Sequence, residues 1–191
     1  METKIAKTPT VNGLAPKPPV KLPTIEELYI SDNLPVVRRD ALFQVLVNQE
    51  PKKEWVKAHP MTKEPYIPIE RVEWLLTNII GRYRVEIKDT KQIANSVTVT
   101  IRLHYFDQIH NEWTFHDGIG SAPLQTDKGA GAVDWNAIKS NAVQIGAPAA
   151  ESYAIKDAAE KIGKIFGKDL NRKEVISYDA LKDRFKNALE E

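Results

Sequence analysis

Apolar residues recur every three or four positions in several segments, which is the pattern of helices with one buried face. The first segment predicts a helix over residues 36–49, ended by Pro51. A second helix is predicted between Pro68, a residue tolerated in a first helical turn, and Gly81, a favourable helix stop. A short helical piece over residues 134–143 and a long helix from about Pro148 to Gly167 follow. A last amphipathic helix is predicted within residues 174–191, with Leu181, Phe185 and Leu189 on its apolar side.

Between the second and the long helix the hydrophobic period changes from 3.6 to two, which is typical of strands. Three strands are predicted, starting near Tyr83, Val97 and Glu112 and joined by turns over residues 88–96 and 107–111. The predicted fold class is therefore α+β, with a helix, an antiparallel three-stranded meander and a long helix as its core. One sheet face is expected to be apolar, and the other to present basic and hydroxyl side chains: Arg82, Arg84, Thr98, Thr100, Arg102, His104 and His116.

The remaining segments suggest the domain organisation. Residues 1–23 hold five prolines and four lysines against one acid, so a basic, disordered arm is expected there. Residues 24–173 form the predicted domain, and residues 174–191 form its C-terminal helix. Within the domain, Trp55–Tyr66 is expected to be a loop that Trp55 anchors to the core, and the glycine-rich residues 118–131 are expected to be mobile.

The composition of the chain excludes several kinds of site. The chain has 191 residues and no cysteine, which excludes disulfides, thiolate zinc sites, iron–sulfur clusters and a cysteine nucleophile. The N-terminus has no apolar core of signal-peptide length, so a cytoplasmic protein with no membrane partner is expected. The formal net charge of +1 is a cancellation: residues 1–23 carry +3, and residues 82–110 and 151–173 carry +2 each. A near-neutral total therefore does not exclude a polyanionic partner.

Enzymatic chemistry finds little support in the motifs. The glycines near residues 118–131 complete neither nucleotide-binding fingerprint, so no nucleotide cofactor and no ATP hydrolysis are expected. No serine lies in a nucleophile elbow. A small metal-dependent enzyme using His104, His116 and Asp117 remains an alternative, because imidazole and carboxylate groups are ordinary metal ligands. Another alternative is an interaction protein whose C-terminal helix recruits a partner.

Basic residues along the predicted long helix are more informative. Lys161, Lys164 and Lys168 are spaced three and four apart, so a helix through them would place all three on one side. They could track phosphates, or they could be solvated partners of Asp157 and Glu160 in weak ion pairs. The coincidence with a basic sheet face favours phosphates, because arginines on strands and lysines on a packed helix can form a groove for a nucleic-acid backbone.

Three stretches resemble a known family. They are Pro68-Ile-Glu-Arg71-Val through Ile80-Gly81-Arg82-Tyr83, the strands ending in Asp117-Gly-Ile-Gly120-Ser, and Lys156-Asp-Ala-Ala-Glu-Lys161-Ile-Gly-Lys164-Ile-Phe166-Gly167-Lys168-Asp-Leu170. Through these stretches, the chain resembles the Rad fifty-two family of ring-forming single-strand annealing proteins. It is similar to a compact bacteriophage or bacterial member of that family. The resemblance spans about residues 66–173, and its most specific part is the helix that ends in Phe166-Gly167.

The resemblance implies a non-enzymatic function: ATP-independent binding of single-stranded DNA and annealing of complementary strands in homologous recombination and DNA repair. It also implies homo-oligomers, as rings or open helices, in the cytoplasm of the cell or of a phage host, with a single-strand-binding protein as a further candidate partner. By match of motif, Arg71, Lys161 and Lys164 would line the inner DNA groove. The complete predicted DNA-binding set is Arg71, Arg82, Arg84, Arg102, Lys161, Lys164 and Lys168, with no metal and no cofactor.

Overall fold

A computed structural model describes residues 36–59 and 62–172, so the predicted N-terminal arm and C-terminal helix lie outside the described residues. The helices are α1 (Val36–Val47), α2 (Ile69–Leu75, continued by a wider π-helical turn over Leu76–Ile80) and α3 (Ala142–Glu160). The strands are β1 (Lys57–Ala58), β2 (Pro65–Tyr66), β3 (Tyr83–Ile93), β4 (Ser96–Asp107) and β5 (Glu112–Pro123). Short 3-10 turns occupy Lys53–Trp55, Trp135–Ala137 and Lys164–Phe166. None of the helices in these two ranges is long and apolar enough to cross a membrane.

The three long strands form an antiparallel meander in the order β3-β4-β5, which confirms the predicted α+β class. Side chains alternate across β4, and its inward set of Val97, Val99, Ile101 and Leu103 is almost completely buried. Helix α3 packs across this inner face over β4 and β5, and α2 joins the same core through Val72, Leu75 and Leu76. The opposite face of the sheet, called here the outer sheet face, is covered by no helix or strand of the described residues.

Close packing between α3 and β5 explains two glycines that sequence analysis assigned to a mobile loop. A Cβ on Gly118 would lie 2.1 Å from the Ala154 carbonyl oxygen, and one on Gly120 would lie 2.2 Å from the Ala150 carbonyl oxygen. On the helix side, the contact is made by small buried residues at every fourth position: Ala142, Gly146, Ala150, Ala154 and Ala158. The loop prediction is therefore wrong for residues 118–123, which form the end of β5, because these glycines serve close approach rather than flexibility.

The first hairpin also differs from its prediction. β3 continues to Ile93, and only Ala94 and Asn95 separate it from β4, so residues 88–93 belong to a strand rather than a turn. The pairing shifts between Ile87 and Asp89, which places an extra residue, Lys88, in a β-bulge. A bulge reverses the alternation of side chains along the strand, and this removes the period-two signal on which the prediction depended.

The long helix begins and ends earlier than predicted. It starts at Ala142 and includes Pro148, because the small-residue stripe on its sheet-facing side extends to both sides of the proline. It ends at Glu160, since Gly163 crosses α1 so closely that a Cβ there would lie 2.4 Å from the Val47 carbonyl oxygen. The three lysines predicted to share one helical side therefore do not do so: Lys161 follows the helix, and Lys164 belongs to a separate 3-10 turn.

The segment predicted as a loop over Trp55–Tyr66 contains short regular elements. A 3-10 turn ends at Trp55, and β1 pairs with β2 through Lys57 opposite Tyr66 and Ala58 opposite Pro65. Trp55 packs against the core, as predicted. This small ribbon lies beside α2 and α3, and it forms one wall of the site described next.

Candidate nucleic-acid interface

A half-buried lysine lies between two tyrosines where the β1–β2 ribbon meets α3. The ammonium nitrogen of Lys156 is 4.9 Å from the ring centre of Tyr66 and 4.7 Å from that of Tyr153. Burial lowers the pKa of Lys156, although the charges of Glu160 and Glu70 oppose this shift. No carboxylate of the described residues forms an ion pair with Lys156, and its ammonium instead contacts the two aromatic faces.

Two cavities adjoin at these three side chains, and we call the combined space the tyrosine cleft. One cavity of about 350 Å³ extends towards His59, Glu64 and Asn171, and the other, of about 300 Å³, extends towards Lys57, Glu70 and Ser152. Lys57 and Glu70 form an exposed ion pair of 3.3 Å at the second cavity. The cleft therefore offers a cation and aromatic walls in one open recess, the combination that suits a phosphate with its attached base.

A second cation held by aromatic rings lies on α2, next to Glu70. The guanidinium carbon of Arg71 is 5.2 Å from the ring centre of Trp55 and 5.0 Å from that of Trp74. Arg71 is half-buried, and its side chain makes no hydrogen bond or ion pair with the described residues. Its five N–H donors are therefore available to an anion, while the indole rings restrict the position of the guanidinium group.

The outer sheet face gathers the three predicted strand arginines, each next to an aromatic ring. Arg82 lies over Phe106 and Arg102 over Phe115, both at 3.9 Å from guanidinium carbon to ring centre. Arg84 lies 5.3 Å from the ring centre of Trp113. The hydrophobic pattern alone predicts no aromatic ring on this face. The β4–β5 register corrects that expectation, because His104 pairs with Phe115 and Phe106 pairs with Trp113.

Arg102 is the most firmly held of these arginines. Its Nε and Nη2 donate to the two carboxylate oxygens of Asp117 at 2.6 and 2.8 Å. This double hydrogen bond lowers the pKa of Asp117 and raises that of Arg102. Arg82 and Arg84, in contrast, form no ion pair with a carboxylate of the described residues, so the charge on this face is only partly compensated.

The same register corrects the position of His116. This residue pairs with Leu103, so it lies on the inner side of the sheet, where its Nε2 is 3.1 Å from the Tyr105 hydroxyl. Burial lowers the pKa of His116, and the nearby charges of Lys161 and Lys168 lower it further. His104 lies on the opposite face and contacts Glu86 at 3.0 Å. The metal-site alternative loses its geometric basis, and within residues 36–59 and 62–172 no cluster of three potential ligands is present.

The remaining predicted lysines have separate environments. Lys161 is exposed, and its ammonium donates to the backbone oxygen of Asp117 and to the Asp157 carboxylate, 3.1 Å away. Lys168 is half-buried and close enough to His116 to depress its pKa. The structure thus brings together Arg82, Arg84 and Arg102 on the outer sheet face, but it places Arg71, Lys161 and Lys168 on the helical side.

Lys164 is enclosed by the protein and not open to solvent. Only 6% of its side chain is exposed, and its ammonium lies 2.9 Å from Glu50 and 3.5 Å from Asp169. Burial disfavours its charge, but the hydrogen bond and the charge of Glu50, together with Asp169, raise its pKa above the ordinary value. The role that the family resemblance implies for Lys164 in an inner groove therefore conflicts with its enclosure in this arrangement.

Several residues of the interface were missed in the sequence: Tyr66, Trp74, Tyr153, Lys156, Phe106, Trp113 and Phe115. The last three could have been assigned from the second hairpin, because a turn centred between Ile109 and His110 already pairs Arg102 with Asp117 and therefore His104 with Phe115. Tyr66 and Lys156 are 90 positions apart, and no local pattern connects a two-residue strand to the middle of a helix.

Comparison with models of known protein families and with curated proteins gives no match for this chain.

Proposed function

We propose that this protein binds single-stranded DNA and anneals complementary strands without nucleotide hydrolysis, as an oligomer acting in phage or bacterial recombination and repair. One observation carries the proposal: Lys156 and Arg71 are each half-buried against two aromatic rings, and neither is ion-paired to a carboxylate of the described residues. Cations held in place by rings suit a ligand that carries both phosphates and planar bases.

Annealing makes modest chemical demands on such a surface. The protein must hold the sugar–phosphate backbone of one strand and leave its base edges free to test a second strand. Duplex formation itself is downhill by about 1.4 kcal/mol per stacked step, so no hydrolytic step is required. A single copy offers only a few phosphate contacts, and side-by-side copies along one strand would raise the affinity through multivalency.

The first prediction concerns the charge in the tyrosine cleft. Lys156→Met keeps the aliphatic stem but removes the cation, so single-strand affinity should fall, and the slope of log affinity against log salt should decrease by about 0.7 per copy. Arg71→Met should behave similarly, because it removes the other cation held by rings. The measurement is a salt titration of oligonucleotide binding by fluorescence anisotropy.

Lys139→Met provides a matched control, since Lys139 is an exposed lysine outside the cleft. It should leave the affinity and the salt slope close to those of the unmodified protein. The proposal as a whole is tested by mixing complementary oligonucleotides without ATP. A strand-pairing rate no faster than that of DNA alone would refute it.

A further inference from the structure

The outer sheet face carries three pairs of a guanidinium group and an aromatic ring. In two of them, Arg82 over Phe106 and Arg102 over Phe115, the guanidinium carbon is 3.9 Å from the ring centre, which is van der Waals contact. The rings continue along β5, where Trp113 meets Phe106 edge-on with 5.6 Å between ring centres. The result is a row of flat groups aligned across β3, β4 and β5.

These groups are accessible and held in place. Trp113 is 49% exposed and Phe115 is 47% exposed. Large aromatic side chains are mostly buried in folded proteins, so two of them side by side in solvent are notable. Asp117 fixes the Arg102 guanidinium through two hydrogen bonds, so its plane is set before any ligand binds. Because both rings are tied to strands rather than to loops, a ligand would lose little entropy in ordering them.

We propose that the outer sheet face binds unpaired nucleobases by stacking, as a surface separate from the tyrosine cleft. The inference rests on the proposed single-strand binding. It adds that this face contacts the bases of the strand. Planar bases stack on aromatic rings and on arginine guanidinium planes alike. Arg82 and Arg84, which form no ion pair with a carboxylate of the described residues, add positive charge for the adjoining phosphates.

The geometry also implies discrimination between single strands and duplex. In a duplex both faces of each internal base are already stacked, so a row of rings gains contact only with bases that have no neighbour in a helix. The inner side of the sheet offers no such surface, because α3 covers it along β4 and β5. A preference for single strands over duplex should therefore depend on Trp113 and Phe115.

The test compares two oligonucleotides of equal length, one of thymidines and one in which abasic sugars replace them, so that only the bases differ. The unmodified protein should bind the thymidine strand more tightly. The double variant Trp113→Leu with Phe115→Leu should lose about tenfold of that preference or more, with an unchanged salt slope. Trp135→Leu is the control, since Trp135 is 56% exposed in a 3-10 turn that is not part of the sheet. Ultraviolet crosslinking of the unmodified protein to the thymidine strand should label the peptide that contains β5.

The outcomes separate this inference from the proposed function. If Lys156→Met weakens binding while the double variant keeps the full base preference, or if crosslinks avoid the β5 peptide, the stacking surface is refuted and the single-strand function stands. If the double variant changes the oligomeric state in sedimentation but keeps the base preference, the face is a contact between copies and the inference fails. If the unmodified protein binds neither strand, the proposed function itself fails.

Discussion

Four lysines in and after α3 show how burial decides what a cation can do. Lys156 lies between two tyrosine rings, Lys161 bonds to Asp117 in the middle of β5, Lys168 lies near His116, and Lys164 is enclosed with Glu50 and Asp169. In the sequence, Lys161, Lys164 and Lys168 are regularly spaced, and Lys156 does not belong to that set. Spacing predicts which side chains could share a face only while the helix continues, and Gly163 interrupts it.

A prediction at the residue scale follows from the enclosure of Lys164. Lys164→Met should destabilise the protein by about 2 kcal/mol, because it removes the buried cation between Glu50 and Asp169. Asp169, which is only 11% exposed, is then left with the more exposed Arg172, 3.0 Å away. Lys161→Met is the matched comparison and should cost less than about 1 kcal/mol, since its ion pair with Asp157 is exposed to water. Urea denaturation of the two variants measures the difference, and equal midpoints would contradict it.

At the scale of the elements, α3 packs closely on the sheet because the residues at the contact, glycine and alanine, have no large side chains. The Gly118 and Gly120 positions on β5 face the carbonyl oxygens of Ala154 and Ala150, and the helix has alanine or glycine at every fourth residue of this side. A glycine-rich stretch has the same composition in a mobile loop and in a close-packed strand. Only the partner surface distinguishes them, and that surface is more than 20 residues away in the sequence.

Gly120→Ala should therefore be strongly destabilising. Its new methyl group would lie 2.2 Å from the Ala150 oxygen and 2.3 Å from the Ala154 nitrogen, and both are backbone atoms that cannot move without displacing α3. We expect a loss of about 3 kcal/mol or more, measured by thermal denaturation. Gly131→Ala is the control: nothing lies within 4 Å of the added methyl group, so its melting temperature should not fall.

The elements that could be predicted are those whose period is regular over their whole length. Helix α1, the start of α2 and the strand β4 are set by repeated apolar positions, and the structure confirms them. Prediction fails for β3 at the bulge and for the end of β5 at its glycines, where a contact with another element replaces the local pattern. For the candidate site, the three strand arginines were identified together, but the rings that accompany them depend on the register between strands.

At the scale of the whole molecule, the net charge is small, but individual segments are clearly basic. Residues 1–23 contribute +3, while the formal net charge of the 191 residues is +1. Binding to a polyanion depends on where cations lie relative to the phosphates, so a neutral sum is compatible with strong salt dependence.

Removing residues 1–23 tests whether the charge of this segment contributes to DNA binding. The deletion takes away four lysines and one acid, so the slope of log affinity against log salt for single-stranded DNA should fall by about two. The thermal stability of the remaining chain serves as the control and should be unchanged. A salt titration of the two proteins compares them, and identical slopes would show that these lysines do not contact the strand.

The bulge in β3 has a consequence for how copies of the chain can meet. β3 is an edge strand of the meander, and Lys88, Asp89 and Lys91 place charged groups along it just where the pairing shifts. Irregular pairing and charged side chains discourage an edge strand from accepting a strand of another molecule. Under the proposed function, copies along one DNA strand should therefore meet through side-chain surfaces, without joining their sheets across β3 into one continuous ribbon.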